Sequence, residues 1–166
     1  MDCIQAIWEH PRYVSWYQRL LKAEQGRVYC CHDIVHLLDV ARIAYIINLE
    51  EGRGFTKELI YASAILHDIG KAAQYEVGTP HEIVGAEIAL DILRDVNAQS
   101  SHPYFTEDDI ASIAQAIKEH RRCPEGSSEL GKLLYQADKA SRACYACTAR
   151  EGCSWAPEKK NMSITI

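Results

Sequence analysis

The sequence has no excess of basic residues. Its 18 lysines and arginines are outnumbered by 23 aspartates and glutamates, and the formal net charge is −5 at neutral pH. Dedicated nucleic-acid-binding proteins usually carry a basic excess, so we expect no dedicated nucleic-acid binding here. A phosphate-binding site in such an acidic chain needs bound cations or a local group of basic side chains.

Export and membrane signals are also missing from the sequence. Residues 1–10 contain neither the basic stretch nor the long apolar stretch of a signal peptide. The longest apolar tracts, such as 43–49, are too short to span a bilayer. We therefore expect a cytoplasmic protein with no membrane partner. In that compartment the seven cysteines are expected to be reduced thiols or metal ligands rather than disulfides.

Strand-like alternation of apolar and polar residues is almost absent, and there is no internal repeat. Apolar residues instead recur at helical spacing along nearly all of the chain, whose 166 residues correspond to roughly one domain. We predict an all-α bundle of six to seven helices over residues 1–150, followed by an irregular tail at 151–166. The last long helix is expected to run from Glu129 to about Ala149.

Histidines are concentrated in these predicted helices. Five of the seven lie in or at the end of one, namely His32, His36, His67, His81 and His120. His32 and His36 are four residues apart and would share a helix face. Asp68 follows His67 at the end of an apolar helix, and Asp138 lies among apolar residues in LLYQADKASR. A single buried histidine is more often structural, but five of them with two aspartates favour a metal site.

Three of these motifs resemble those of the HD-domain metal-dependent phosphohydrolases. His36 stands in HLLDVARIA, which is similar to the H-x-x-x-V-A helix of that family. His67 and Asp68 stand in LHDIGK, and Asp138 in YQADKASR is similar to the family's terminal aspartate helix. The resemblance covers residues 30–142 and implies an HD-type helical domain with a metal site.

Two more histidines narrow the branch of the family. His81 in HEIVGAEIA and His120 in IAQAIKEHR resemble elements of members that usually bind two metals. These members include HD-GYP phosphodiesterases, bacterial diadenosine-tetraphosphate hydrolases and HD-type di-iron oxygenases, although the GYP motif itself is absent here. The resemblance implies one metal at His36, His67, Asp68 and Asp138, and a second at Asp68, His81 and His120. The first four residues alone would imply one metal.

The identity of the first ligand is open between two histidines. His32-Asp33 precedes His36, and some mononuclear nucleotide pyrophosphohydrolases of the family carry a similar H-D-x-x-H run. The distance from His36 to Val40-Ala41 matches the family pattern better. We therefore favour His36 as the ligand and place His32 beside it or facing the substrate.

The resemblance implies a phosphohydrolase that uses metal-activated water on a phosphoester or phosphoanhydride bond of a nucleotide-like small molecule. Asp68 and Lys71 would be the catalytic residues, with two divalent ions, iron or manganese, or else zinc, nickel or magnesium. Lys71 lies one turn after His67 and would also contact the phosphoryl group. Arg121 and Arg122 are placed to bind phosphate, or alternatively to complement a helix dipole. Loops at 72–79 and 99–105 are expected to shape the pocket.

Two other functions are compatible with the same residues. The His/Asp set holds a di-iron centre in the HD-type oxygenases, so an oxidoreductase is an alternative. A non-catalytic metal-binding or redox-sensing module is another. The residues carry no signal of oligomeric state.

Cysteines cluster towards the end of the chain. Cys144, Cys147 and Cys153 are close in sequence, and Cys123 from a preceding turn is a candidate fourth thiolate. Three or four thiolates suit zinc or an iron–sulfur cluster, whereas small buried residues plus an exposed thiol would be the structural alternative. The remaining cysteines, Cys3, Cys30 and Cys31, are expected to be ordinary buried thiols.

Overall fold

The computed structural model describes residues 1–164. This range contains eight α-helices and two 3-10 turns and no strand, which confirms the all-α prediction. The helices are α1 (Asp2–Glu9), α2 (Pro11–Ala23), α3 (Ile34–Glu50), α4 (Lys57–Leu66), α5 (Lys71–Val77), α6 (His81–Gln99), α7 (Glu107–Glu119) and α8 (Glu129–Ala140), and the 3-10 turns are Cys144–Ala146 and Pro157–Lys159. Within residues 1–164, no helix has both the length and the apolar character needed to cross a bilayer.

Helix α4 lies at the centre of the bundle. It packs against α1, α3, α7 and α8. Its N-terminus is capped by the Thr56 side chain, which accepts a hydrogen bond from the Leu59 amide at 3.2 Å. Nearly all of the residues that follow are buried, and several are small, so neighbouring helices approach closely. The His67-Asp68 pair therefore begins from buried backbone at the end of this central helix.

Helix α5 occupies residues where a loop was predicted. The segment 72–79 was expected to be a pocket loop, but Lys71–Val77 is helical and buries Ala72 and Ala73. Gly78 ends this helix in the left-handed conformation, with φ of 77°. The sequence prediction missed α5 because Gly70 looks like the terminator of α4, whereas it lies directly before the new helix. The count of α-helices in the described residues is therefore eight.

Helix α8 ends earlier than predicted. It stops at Ala140 instead of continuing to about Ala149. The Asn161 side-chain amide donates to the carbonyls of Lys139 and Arg142 at 2.7 and 2.9 Å, so a distant residue satisfies the helix end. Residues 141–164 contain only two 3-10 turns and no buried side chain. The division of the chain at residue 150 stays a prediction.

Candidate metal centre

Asp68 is the centre of the polar cluster in the middle of the bundle. Its two carboxylate oxygens face different sets of histidines. Oδ2 lies 3.1 Å from His67 Nε2 and 3.5 Å from His36 Nε2. Oδ1 lies 3.2 Å from His81 Nε2 and 3.6 Å from His120 Nε2. One buried carboxylate is therefore shared by two groups of potential ligands.

The two groups have the spacing of metal sites. In each of them the ligand atoms all lie within 4.8 Å of one another, the first being His36, His67, Asp68 and Asp138 and the second Asp68, His81 and His120. Donor atoms bound about 2.1 Å from one metal are separated by roughly 3–3.4 Å, close to the separations found around Asp68. Helices α3, α4 and α8 supply the first group, and α6 and the end of α7 complete the second.

The four histidines of the two groups each have a polar contact at Nδ1. In His67 and His120 this nitrogen lies 2.6 Å from the backbone carbonyl three residues earlier, which can only accept. His81 Nδ1 contacts Gln74 Oε1 at 2.5 Å. His36 Nδ1 contacts the Ser141 hydroxyl at 3.3 Å. Contacts of this kind orient metal-bound histidines, and the Nε2 atoms of the four rings lie 3.1–3.6 Å from the Asp68 oxygens.

Buried nitrogen and oxygen atoms without a hydrogen-bond partner indicate whether a metal ion fits this cluster. His36 Nε2, His67 Nε2 and Asp68 Oδ1 are inaccessible to solvent and have no hydrogen-bond partner. Buried polar atoms are normally paired, because an unpaired one costs about 1–3 kcal/mol. These orphaned atoms belong to the two ligand groups and point into them. The residues present therefore fit divalent metal ions of the kind that accept imidazole and carboxylate ligands.

Electrostatics keep the carboxylates charged and His81 neutral. Burial alone would raise the pKa of Asp68, but nearby His67, His32 and Lys71 outweigh it and hold this pKa well below its usual range. Burial lowers the pKa of His81 to about 4, against opposing attraction from Asp68. His81 is therefore an unprotonated imidazole at neutral pH and available as a ligand. The pKa of Asp138 is lowered in spite of its burial, chiefly by His67 and Lys139.

Comparison with known proteins decides the family. The family model described as HD domain matches residues 33–143. The chain belongs to the HD domain family. The resemblance noted in the sequence is thereby confirmed, and the polar cluster around Asp68 lies within the matched residues.

Three relatives show how much of each protein the chain matches. An uncharacterized protein of Clostridium beijerinckii is 45% identical over 164 residues, or 99% of each chain. Ribonuclease Y of Mycoplasma mycoides is 32% identical over 108 residues, which are 65% of this chain and 22% of that protein. Ribonuclease Y of Chloroflexus aurantiacus is 39% identical over 101 residues, which are 59% and 19% of the two chains. The chain therefore spans about a fifth of these ribonucleases.

A solved structure supports the fold. The crystal structure of a predicted HD superfamily hydrolase from an uncultured Thermotogales bacterium superposes with a TM-score of 0.61. The superposition covers 90% of this chain and 81% of that one, at 24% sequence identity. The two proteins therefore share the overall fold.

His32 lies outside helix α3, which corrects the predicted shared helix face. Asp33 caps α3 by accepting from the amides of Val35 and His36 at 3.0 and 3.2 Å, so His32 precedes the helix. Its Nε2 still reaches the centre and lies 3.7 Å from Asp68 Oδ2. His36, in contrast, approaches both Asp68 and Asp138. This geometry supports His36 as the first ligand and His32 as its neighbour.

Glu24 and Tyr75 are functional candidates that the sequence did not reveal. Glu24 Oε1 accepts from His32 Nδ1 at 2.5 Å and from the Tyr75 hydroxyl at 2.7 Å. Its other oxygen accepts from the His32 amide at 2.7 Å. Burial would raise the pKa of Glu24, but these bonds from His32 lower it to about 2. In the sequence, Glu24 has the pattern of a solvent-exposed acid at the end of a helix. Its contact with His32 depends on the turn at Gly26, which has φ of 78°.

Glu24→Gln tests this contact through the pH dependence of stability. The folded-state pKa lies below the ordinary value of 4.5, so the contribution is present above that pH and is lost as the pH falls towards about 2. We expect the variant to lose at most about 3 kcal/mol of unfolding free energy at neutral pH. Urea unfolding between about pH 3 and 7 measures it. A stability difference that does not shrink with falling pH would contradict the proposed contact.

Two of the three predicted phosphate-binding residues line the cavity above the centre. Lys71 Nζ is 3.8 Å from Asp68 Oδ1 and lines the cavity above the centre. Arg121 also lines this cavity and donates to Glu82 at 3.2 Å. Arg122 is exposed and does not line it. The structure therefore brings Lys71 and Arg121 to the site, but not Arg122.

The cavity above the metal centre has a volume of about 950 Å³. Its outer wall is formed by two segments, 27–32 and 152–161, together with residues of α5 and α8. The loop 99–105 does not line it, contrary to the prediction. The cavity walls differ from the predicted ones because two segments distant in sequence meet above the centre. The Tyr29 hydroxyl joins these segments by donating a hydrogen bond to the Gly152 carbonyl at 2.9 Å.

The predicted cysteine site is not assembled as expected. Cys123, Cys144 and Cys153 line the large cavity, but Cys147 does not. Cys144 and Cys147 do not share a helix face, because α8 ends before them. Throughout residues 1–164, no three cysteine sulfurs lie within 4.8 Å of one another. Cys30, expected to be buried, is exposed.

Proposed function

We propose that this HD domain is a metal-dependent phosphohydrolase that cleaves a phosphoester or phosphoanhydride bond of a nucleotide-like small molecule. The charge of the cavity carries this proposal. Three acidic residues line it, against eight of the chain's 18 basic residues: Arg27, Lys71, Arg121, Lys132, Lys139, Arg142, Lys159 and Lys160. A chain with net charge −5 thus concentrates positive charge around one buried His/Asp cluster, which favours a polyanionic ligand.

The two ligand groups around Asp68 would hold two divalent ions, for which iron and manganese suit the nitrogen and oxygen donors. When bound, such ions polarise a phosphoryl group and acidify water, which makes hydroxide available near neutral pH. Asp68 positions both sites because each of its oxygens faces one group.

Lys71 and His32 are the side chains that would assist the metal ions in the reaction. Lys71 is only slightly exposed and its ammonium group faces both Asp68 and the cavity, so it is placed to stabilise negative charge on a phosphoryl oxygen. Glu24 holds the His32 ring with Nε2 towards the cavity. His32 Nε2 is therefore placed to exchange a proton with a leaving oxygen.

Aromatic residues support a nucleotide as the ligand. Tyr29, Tyr135 and Trp155 line the cavity, and the Arg142 guanidinium lies 3.8 Å from the centre of the Trp155 ring. Aromatic faces of this kind stack on nucleobases. A cavity of about 950 Å³ is of the size that encloses a single small molecule. The name ribonuclease Y assigns an activity on RNA to those relatives, so RNA is the comparison substrate.

The experiment is a hydrolysis screen with metal-loaded protein. Nucleoside phosphates, dinucleoside polyphosphates and cyclic dinucleotides are incubated with protein loaded with Mn²⁺ or Fe²⁺, with short RNA alongside. We expect hydrolysis of at least one small nucleotide and weaker action on RNA. A loaded centre that hydrolyses none of these compounds, while consuming dioxygen or showing no turnover, would contradict the proposal.

Lys71→Gln tests the role of the cavity lysine. Removing one charge-stabilising donor typically costs about 100- to 1,000-fold in kcat, and we expect a loss in this range with unchanged metal content. Lys132→Gln is the matched control, since Lys132 lines the same cavity but is ion-paired with Glu129 and half exposed. Steady-state kinetics on the best substrate measures both variants. Equal, small effects of the two substitutions would remove Lys71 from the mechanism.

A further inference from the structure

A second cavity, of about 210 Å³, lies beside the first and is lined by four of the seven cysteines. It is bounded by segment 28–30 on one side and by residues between 143 and 160 on the other. The four thiols belong to Cys30, Cys144, Cys147 and Cys153, and this set is called the thiol pocket below. Arg150 and Lys160 also line it.

Three successive backbone turns link the C-terminal residues that line the thiol pocket. The Cys147 amide donates to the Cys144 carbonyl at 3.2 Å, the Arg150 amide to the Cys147 carbonyl at 3.3 Å, and the Cys153 amide to the Arg150 carbonyl at 3.3 Å. Partial desolvation raises the pKa of Cys30, Arg142 opposes this shift, and Cys144 and Cys147 raise the pKa further. Cys30, distant in sequence, lines the same cavity as these three cysteines.

The C-terminal segment lacks the packing that orders most polypeptides. None of residues 141–164 is buried, and their regular structure is limited to two 3-10 turns. Fixing each residue costs about 1–2 kcal/mol of backbone entropy, which this segment does not recover through a hydrophobic core. Small units without a core are commonly stabilised by a structural metal.

We propose that Cys30, Cys144, Cys147 and Cys153 bind one structural Zn²⁺ ion. Four thiolates in tetrahedral arrangement are a common structural zinc site, and Cys144-x2-Cys147 has the spacing of such ligands. Binding releases the four thiol protons to solvent. The resulting negative charge is offset by Arg150 and Lys160. The sulfurs are not drawn together in the structure, so binding requires them to move closer to one another.

Cys30 replaces Cys123 in the site expected from the sequence. Cys123 lines the large cavity and not the thiol pocket. The ion would link the segment 144–153 to the segment 28–30, which precedes α3. Since Trp155 and Lys160 follow this segment and line the large cavity, zinc would order one wall of it.

Cobalt substitution tests the site with the full-length protein. Co²⁺ is added anaerobically to reduced, metal-stripped protein, and absorption is recorded. Thiolate ligands give an intense near-ultraviolet sulfur-to-cobalt charge-transfer band, which nitrogen and oxygen ligands at the Asp68 centre do not give. We expect this band at one Co²⁺ per chain and its loss on addition of one equivalent of Zn²⁺. Absence of the band would overturn the proposal.

Variants identify the zinc ligands and distinguish this site from the Asp68 centre. Cys30→Ser and Cys147→Ser are expected to lose the band, and Cys147→His to retain a weaker one, since three thiolates and an imidazole also bind tetrahedrally. Cys31→Ser and Cys123→Ser are matched controls that keep it. Asp68→Asn also keeps it, so failure of the proposed hydrolase function is distinguishable. A band that survives Cys30→Ser or disappears in Cys123→Ser would overturn the assignment.

Limited proteolysis with trypsin provides a second measurement that does not depend on cobalt absorption. We expect Zn²⁺ to slow cleavage after Arg150 and Lys159 at least about tenfold, because cleavage requires local opening of the segment. The same addition has no effect on cleavage of Cys147→Ser. Equal cleavage of the native chain with and without zinc would contradict a structural role.

Discussion

Asp68→Asn is expected to lower kcat/KM by about 1,000-fold or more and to reduce the metal content of the protein. Loss of a residue that merely orients a ligand usually costs about 10- to 100-fold in metal affinity or activity, and Asp68 is itself shared by both ligand groups. The asparagine side chain keeps the shape of the carboxylate but loses its charge and presents an amide nitrogen on one side. One substitution therefore weakens both predicted metal sites.

Two further variants make this result specific. Asp138→Asn affects only the first ligand group and is expected to lower the content of one ion while the other remains. Asp91→Asn on the surface of α6 removes an ion pair with Arg12 and is expected to change neither metal content nor activity. Elemental analysis and initial rates measure all three. Full metal content and activity in Asp68→Asn would contradict the role given to this residue.

Gly70→Ala is expected to destabilise the fold by about 3 kcal/mol or more, at the upper end of overpacking effects. A Cβ at this position would lie 2.2 Å from the His81 carbonyl oxygen and 2.6 Å from the Gly85 amide nitrogen. Both neighbours are backbone atoms at the start of α6, so relief requires a shift of the helix that carries His81. The variant is therefore expected to lose metal at the second ligand group as well as stability.

Gly85→Ala is the matched control for this close approach. The nearest atom to its added Cβ is the Gly70 amide nitrogen at 3.4 Å, an ordinary contact. Alanine is also favoured over glycine inside a helix by up to about 1 kcal/mol, so the change in stability is expected to be small. Urea unfolding of the two variants measures the contrast. Equal stability of both would show that the backbone approach at Gly70 does not hold α6 in place.

Local sequence signals predicted most of the fold, and the residues proposed as ligands lie close together in it. His67-Asp68 follows an apolar run, and His81 and His120 stand in helical motifs, so their positions could be derived from spacing and resemblance. Helix α5 was missed because Gly70 acts there through a close contact with α6 rather than as a helix terminator. The end of α8 was misplaced because the side chain that satisfies its carbonyls, Asn161, is distant in sequence.

Residues that act through long-range contacts could not be found in the sequence. Glu24 lies at the polar end of an amphipathic helix and is brought to His32 by the turn that follows it. Cys30 lies beside Cys144 and Cys147 only because segment 28–30 folds against the C-terminal segment. In both cases the partner is set by tertiary packing, for which neither helical periodicity nor motif spacing provides a signal.

We expect the Asp68 carboxylate to be shared by two metal ions. Anomalous diffraction from crystals of Mn²⁺-loaded protein, recorded above and below the manganese absorption edge, tests this directly. We expect two manganese peaks, one on each side of the Asp68 carboxylate. The first would lie among His36, His67 and Asp138, and the second beside His81 and His120. A single peak would contradict the dinuclear centre, and manganese bound elsewhere, with none at Asp68, would contradict the metal site altogether.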